Sequence, residues 1–151
     1  MQKPRFSEVT HEAAVQSARD LVPALRERVQ RGEEARIMLP ETIADLHRSG
    51  VLRALQPKRW GGMELDFVAC FDICYELGRG CGSTAWTGAN LLIHHWMLGL
   101  YDEQAQADVW GDDPEAFIAS GVAVAQGEAR AVPGGYMLTG RWNFSSWRGG
   151  F

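Results

Sequence analysis

Four polar side chains recur along one line of a segment that is otherwise apolar. They stand at i, i+4, i+7 and i+11 of a helical period and are Ser83, Thr87, Asn90 and His94. Buried polar groups need hydrogen-bond partners, so this row predicts either a network that satisfies itself or the wall of a polar cavity. Most buried polar side chains are simply paired, which favours the network when the residues are taken alone.

Histidine is the residue type here that can exchange a proton near neutral pH. His94 and His95 lie in apolar surroundings, whereas His11 and His47 lie on amphipathic segments. A lone buried histidine is more often a satisfied core residue than a catalyst. The residues alone therefore leave both interpretations of His94 and His95 open.

Composition describes an ordinary globular domain and excludes several classes of partner. The 151 residues are 46% hydrophobic and 23% charged, with a formal net charge of -4. We expect neither nucleic acid nor an anionic membrane as a partner, because the basic residues are scattered. Residues 1–17 carry no apolar signal segment, and the apolar run at 85–100 is too short to span a bilayer. The expected location is the cytoplasm.

The cysteines give no sign of a disulfide framework or a metal site. Their number is odd, and Cys70 and Cys74 share a helix face without matching a common zinc spacing. We expect buried thiols, and no metal.

The hydrophobic periodicity predicts helices first. Helices are expected over residues 8–31, 40–49, 66–77 and 102–110, with a central helix opened by Ser83 or Thr84 as the N-cap. Gly32 and Gly78 are expected to end the first and third of these helices. The apolar stripe of the central helix is predicted to be Ala85, Trp86, Ala89, Leu92, Ile93, Trp96, Met97 and Leu100.

After Pro114 the period changes to that of strands. Residues 117–124 are strand-like, and residues 128–132 and 136–142 flank Pro133-Gly134-Gly135 as a β-hairpin. The predicted fold class is therefore α+β, with a helical domain over residues 1–114 and an incomplete antiparallel β-domain over 115–151.

Three segments, in this order and at these spacings, carry a resemblance to a known family. They are Leu55-Gln56-Pro57-Lys58-Arg59-Trp60-Gly61-Gly62, then Gly82-Ser83-Thr84-Ala85-Trp86 with His94-His95-Trp96, then Gly140-Arg141-Trp142-Asn143-Phe144-Ser145-Ser146. The chain resembles the N-terminal part of the acyl-CoA dehydrogenase superfamily. Within it, the chain is most similar to the oxygenase components of two-component flavin-dependent aromatic hydroxylases, of the 4-hydroxyphenylacetate and steroid-phenol hydroxylase type.

That resemblance implies an architecture and a reaction. The architecture is an N-terminal helical domain, a middle β-domain and a C-terminal four-helix bundle, assembled as a homotetramer around reduced flavin, either FMN or FAD. A separate flavin reductase would supply the reduced flavin. Oxygen would add at C4a, and the flavin hydroperoxide would transfer a hydroxyl group to a phenolic or other small aromatic substrate.

The resemblance also implies residue roles on the substrate side. The family's pocket histidine falls at His94, with His95 as the alternative register, and its first-strand serine falls at Ser120. A histidine that binds the phenol oxygen would favour the phenolate and enrich the ring in electrons. On this interpretation His94 and Ser120 are catalytic, while Asn90 and His95 bind substrate.

On the flavin side, the resemblance implies three residues. The family's serine close to flavin N5 falls at Ser145 or Ser146, and Trp142 would line the same site. Hydroxyl donors and an enclosure that excludes water suit a flavin hydroperoxide, which must be kept from losing peroxide.

Family members run to more than twice this length, so the chain is expected to be the N-terminal portion of such an enzyme, inactive alone. A fragment and a truncated reading frame both stay open. Two alternatives are also open: an acyl-CoA dehydrogenase-type flavoenzyme, and a catalytically silent helical domain that only self-associates.

Overall fold

The structure is a computed structural model that describes residues 6–118, 120 and 127–141. Within these residues the chain forms five α-helices and one two-stranded antiparallel sheet. The helices are α1 (His11–Ala35), α2 (Pro40–Ser49), α3 (Val68–Gly80), α4 (Gly82–Gly99) and α5 (Glu103–Trp110), and the strands are β1 (Gly127–Val132) and β2 (Gly135–Gly140). The predicted α+β class is confirmed.

The core lies where α3 packs against α1 on one side and α4 on the other. The close approach of α3 to α1 depends on a small residue, since a Cβ on Gly80 of α3 would lie 2.7 Å from the Cβ of Leu25 of α1. At the rim of this contact the Arg19 guanidinium binds Glu76 at 2.9 Å, and Arg79 binds the second carboxylate oxygen at 2.6 Å. The Arg19 guanidinium, with Arg79, holds the pKa of Glu76 below its ordinary value.

Helix ends follow the predictions in part. The helix at Pro40–Ser49 is confirmed, and Gly50 caps it in the left-handed region at φ 73°. By contrast, α1 does not end at Gly32: it continues to Ala35, because Arg36 at φ 56° supplies the backbone N–H that caps the last turn. Likewise α3 continues beyond Gly78 to Gly80, since Cys81 supplies the capping N–H to the Leu77 carbonyl.

The predicted apolar stripe of α4 is confirmed only in part: Leu92 is buried, and Ala85 and Ile93 pack against the core, whereas Trp86, Trp96 and Leu100 are exposed. The buried residues of this helix are Thr84, Gly88, Leu91, Leu92, His94 and His95. Trp86 is 68% exposed, because the small residues face α3: a Cβ on Gly88 would already lie 3.3 Å from Leu77. Ser83 and Thr84 lie inside the helix, and the N-cap is Cys81, without a side-chain bond. No described helix, α4 included, has the length and apolar content needed to cross a membrane.

The predicted hairpin is confirmed. Val132 pairs with Gly135, so the turn consists of Pro133 and Gly134, and Gly134 has a φ of 85° that favours glycine. Strand β2 ends at Gly140 and not at residue 142. Of the segment predicted as strand-like, the described residues 117, 118 and 120 are not in a strand, and the remainder lies outside the described residues.

Candidate functional site

Helix α4 presents His94 to a serine from a distant part of the chain. His94 is 5% exposed, and its Nδ1 lies 2.6 Å from the carbonyl oxygen of Asn90, one turn earlier. Its Nε2 lies 2.5 Å from Oγ of Ser120. A carbonyl oxygen only accepts hydrogen bonds, so Nδ1 carries the hydrogen. In the neutral imidazole, Nε2 then accepts a hydrogen bond that the Ser120 hydroxyl donates.

The other members of the polar row bond within α4. Thr87 donates its hydroxyl to the Ser83 carbonyl at 3.0 Å, and the Asn90 amide donates to the Trp86 carbonyl at 2.8 Å. These bonds confirm the self-satisfied network for Thr87 and Asn90. His94 differs because its Nε2 reaches beyond its own helix.

His95 faces the core. It is fully buried, its Nδ1 lies 2.9 Å from the Leu52 carbonyl oxygen, and its ring meets Trp110 edge-on with centroids 5.6 Å apart. Burial lowers the pKa of His95 to about 4, so the imidazole is neutral at pH 7. Its Nε2 has no hydrogen-bond partner within the described part of the chain. The geometry therefore places His94, rather than His95, against Ser120.

A cavity of about 340 Å³ lies at the other end of the polar row, between α1, the start of α2 and the first turns of α4. Ser83 and Thr87 line it, together with Arg28 from α1. Asn90, His94 and Ser120 are not among its lining residues, so the polar row as a whole does not form one cavity wall.

The three residues expected on the flavin side, Trp142, Ser145 and Ser146, lie outside the described residues. Strand β2 ends at Gly140, two residues before the first of them. Their roles stay predictions.

Among the buried polar side chains that the sequence-based reasoning missed are Arg53 and Gln56, which are 7% and 0% exposed. The Arg53 Nε donates to the Gln56 Oε1 at 2.6 Å. Arg53 interrupts the apolar run that begins at Val51, and Gln56 closes it. Polar residues within and at the end of a buried segment were the available indication.

The His94–Ser120 pair can take one proton from a hydroxyl group and stabilise the oxygen anion that remains. The lone pair on His94 Nε2 can accept a proton from a hydroxyl group that enters beside it. The Ser120 hydroxyl can donate a hydrogen bond to the oxyanion that forms. Because Nδ1 is tied to a backbone carbonyl, the ring holds one orientation.

Residues 8–111 match the family of acyl-CoA dehydrogenase N-terminal domains. The oxygenase subunit HsaA of a flavin-dependent monooxygenase from Mycobacterium tuberculosis is 39% identical over 127 residues, which is 84% of this chain and 32% of that protein. The oxygenase component of an FADH2-dependent resorcinol hydroxylase from a Rhizobium species is 36% identical, covering 80% of this chain and 29% of that protein.

The fold is also similar to a solved structure. The crystal structure of HsaA from M. tuberculosis superposes with a TM-score of 0.84 at 36% identity, over 89% of this chain and 37% of that one. The chain thus spans about a third of the length of the relatives that it matches.

Proposed function

Since the chain belongs to the family of acyl-CoA dehydrogenase N-terminal domains, we propose that it is part of a reduced-flavin-dependent monooxygenase that hydroxylates a phenolic or other aromatic substrate. Two relatives support this, one named as a flavin-dependent monooxygenase and the other as a resorcinol hydroxylase. Both are named as oxygenase subunits or components, which supports a separate reductase as partner.

The observation that carries the proposal is the contact between His94 Nε2 and Ser120 Oγ at 2.5 Å. The two residues are 26 positions apart, and the family resemblance places both on the substrate side. A buried imidazole with a fixed acceptor nitrogen and a neighbouring hydroxyl suits a phenol oxygen, which is a donor when protonated and an acceptor when ionised.

In this proposal the phenol hydroxyl takes a place beside both residues. His94 Nε2 accepts its proton, and the Ser120 hydroxyl turns to donate to the phenolate oxygen. The imidazolium keeps its Nδ1–H on the Asn90 carbonyl, so the charged ring stays in place. The electron-rich phenolate ring is the form that an electrophilic oxygen donor attacks.

Reduced flavin, when bound, supplies the oxygen atom through its reaction with dioxygen. Trp142, Ser145 and Ser146 are the residues proposed to hold it, because hydroxyl donors suit the flavin N5 edge and an indole can pack on its ring. Either FMN or FAD serves the proposal. The name of the resorcinol hydroxylase specifies FADH2, which supports FAD. Assembly as a tetramer in the cytoplasm is likewise part of the proposal.

Two other functions make different predictions. An acyl-CoA dehydrogenase would use oxidised FAD and a thioester, and the His94–Ser120 pair favours a phenol over a thioester. A silent domain that only self-associates is supported by exposed aromatic residues on α3 and α4, namely Phe71 (64% exposed), Tyr75 (70%) and Trp86 (68%).

The test titrates the chain with resorcinol in the presence of reduced FAD without oxygen, and then admits oxygen and assays hydroxylated product. His94→Ala should raise the resorcinol Kd about tenfold, because it removes a hydrogen bond to a group that becomes charged. His11→Ala is the matched control, since His11 is half-exposed and pairs with Asp72 on the surface.

Each other outcome has a definite meaning. Equal effects of His94→Ala and His11→Ala would contradict the proposed site. Reduction of bound FAD by an acyl-CoA thioester would establish the dehydrogenase alternative. If the chain binds no flavin, only the third function, a silent domain that self-associates, agrees with the result.

A further inference from the structure

Between α5 and Ser120, two backbone carbonyls accept hydrogen bonds from buried side chains. The Pro114 carbonyl accepts a bond of 2.9 Å from the side-chain amide of Gln56. The Ala116 carbonyl accepts one of 3.3 Å from the indole N–H of Trp110. Because Ser120 follows within a few residues, the position of this backbone limits where the serine hydroxyl can lie.

Gln56 occupies a site built closely around it. It is 0% exposed, and its backbone carbonyl accepts from the Glu64 N–H at 2.9 Å. A Cβ on Gly62 would lie 2.5 Å from Gln56 Cβ, so only glycine allows the loop to pack there. Gly62 is thus explained by the space that Gln56 requires, whereas Gly61 has a φ of 85° and a Cβ on it would meet Arg53.

The orientation of the Gln56 amide follows from its partners. Arg53 can only donate, so the atom that faces its Nε at 2.6 Å is the oxygen. A carbonyl can only accept, so the amide nitrogen faces Pro114. Gln56 thereby links the Arg53 guanidinium to the backbone that leads to Ser120.

We propose that Gln56 is a positioning residue for the His94–Ser120 pair. It acts through the segment that carries Ser120: its amide N–H sets the position of the Pro114 carbonyl, and the chain from there delivers the serine hydroxyl to His94 Nε2. The proposal rests on the proposed function, in which this pair binds the phenol oxygen.

A purely structural role is the competing explanation, and Gln106 offers a matched control for it. Gln106 is also a buried glutamine, 2% exposed, and its amide donates to the carbonyls of Gly99 at 3.1 Å and Tyr101 at 2.7 Å. Its oxygen accepts from Arg59 at 2.7 Å. Gln106 therefore has the same residue type, burial and kind of partners, but it joins α4 to α5, and within the described residues its side-chain hydrogen bonds go to residues before Asp102.

The test replaces each glutamine by glutamate in the 151-residue chain. Gln56→Glu keeps an acceptor for Arg53 and removes the donor to Pro114. The readout is the ¹⁵N resonance of His94 Nε2, which reports whether that nitrogen accepts a hydrogen bond. Ser120→Ala supplies the reference for His94 without its serine partner.

We expect Gln56→Glu to move the His94 resonance toward that of Ser120→Ala, and Gln106→Glu to leave it at the wild-type position. The resorcinol Kd should rise about tenfold in Gln56→Glu, because misplacing a substrate-contacting group by a fraction of an ångström weakens binding. If Gln56→Glu does not fold, Gln56→Met, which keeps the length of the side chain, takes its place.

The inference is overturned if His94 keeps its wild-type resonance in the Gln56 variant, or if the Gln106 variant shifts it equally. The NMR readout needs neither flavin nor phenol. A wild-type chain that binds no resorcinol would therefore count against the proposed function, while the His94 resonance still decides the role of Gln56.

Discussion

Two histidines that are adjacent in sequence have opposite surroundings. His94 has both ring nitrogens in hydrogen bonds, one within α4 and one to Ser120. His95 points into the core, where Leu52 binds one nitrogen and aromatic rings surround the other side. Neighbouring positions on a helix differ by about 100° in direction, which is why one side chain reaches Ser120 and the other packs in the core.

Burial of neutral His95 makes the stability of the fold depend on pH. Its pKa is about 4 in the folded chain, mainly through burial, with smaller effects of Arg53 and His94, and near 6.5 when unfolded. Between these values the unfolded state binds a proton that the folded state does not. The stabilisation is therefore complete above pH 6.5 and is lost as the pH falls toward 4.

The unfolding free energy should fall by about 2 kcal/mol more in the wild type than in His95→Gln between pH 7.5 and pH 5. Urea denaturation at each pH measures this difference. Parallel slopes in wild type and His95→Gln would contradict the buried neutral state.

Among the elements, the loop that follows the apolar run at 51–55 depends on Gly62. A Cβ there would lie 2.1 Å from the Gln56 carbonyl oxygen, a distance that only a backbone shift can relieve. Gly62→Ala should therefore lower the unfolding free energy by about 3 kcal/mol, as overpacking in a buried site does. Urea denaturation measures it.

Gly82→Ala is the control for this change. Gly82 is the first residue of α4, and nothing lies within 4 Å of a Cβ placed there. Alanine favours helix over glycine by about 1 kcal/mol, so this substitution should leave stability unchanged or raise it slightly. A loss at Gly82 equal to that at Gly62 would show that backbone freedom, and not packing, governs both sites.

At the scale of elements, the sequence predicted those helix ends that depend on the properties of single residues. Pro40 and Gly50 bound α2 as expected, because a fixed φ at the start and a left-handed residue at the end are properties of single residues. The buried face of α4 could not be predicted in the same way. Its orientation depends on how closely Gly88 approaches Leu77, a contact between two helices that hydrophobicity along one helix does not encode.

The same limit applies to the candidate site. Polar spacing brought out His94, the family resemblance alone brought out Ser120, and the structure brings the two together. Gln56 was missed because its importance comes from Pro114, 58 residues away, and a pattern within one segment contains no information about such a pair.

At the scale of the whole molecule, the helices share a core and the hairpin does not belong to it. Every residue of β1 and β2 is exposed except Val132, which is half-buried. The buried apolar cluster draws instead on the helices and the loops between them. A two-stranded hairpin gains little stability by itself.

Hydrogen exchange should therefore separate the two parts of the 151-residue chain. Amides in the β1–β2 pairs should be protected at least about a hundredfold less than the central amides of α3, because they can open without unfolding the core. Residue-resolved exchange by NMR measures both sets in one sample. Equal protection would mean that the hairpin is stabilised by contacts beyond its own two strands.

The bond from His94 Nδ1 to the Asn90 carbonyl has one more consequence. A relay histidine takes a proton on one nitrogen and releases it from the other, but here the second nitrogen faces a backbone oxygen that cannot carry the proton onward. A proton taken from a substrate would have to leave by the nitrogen through which it came. On the proposed function, a proton that His94 accepts from the phenol would therefore not pass to solvent through the backbone of α4.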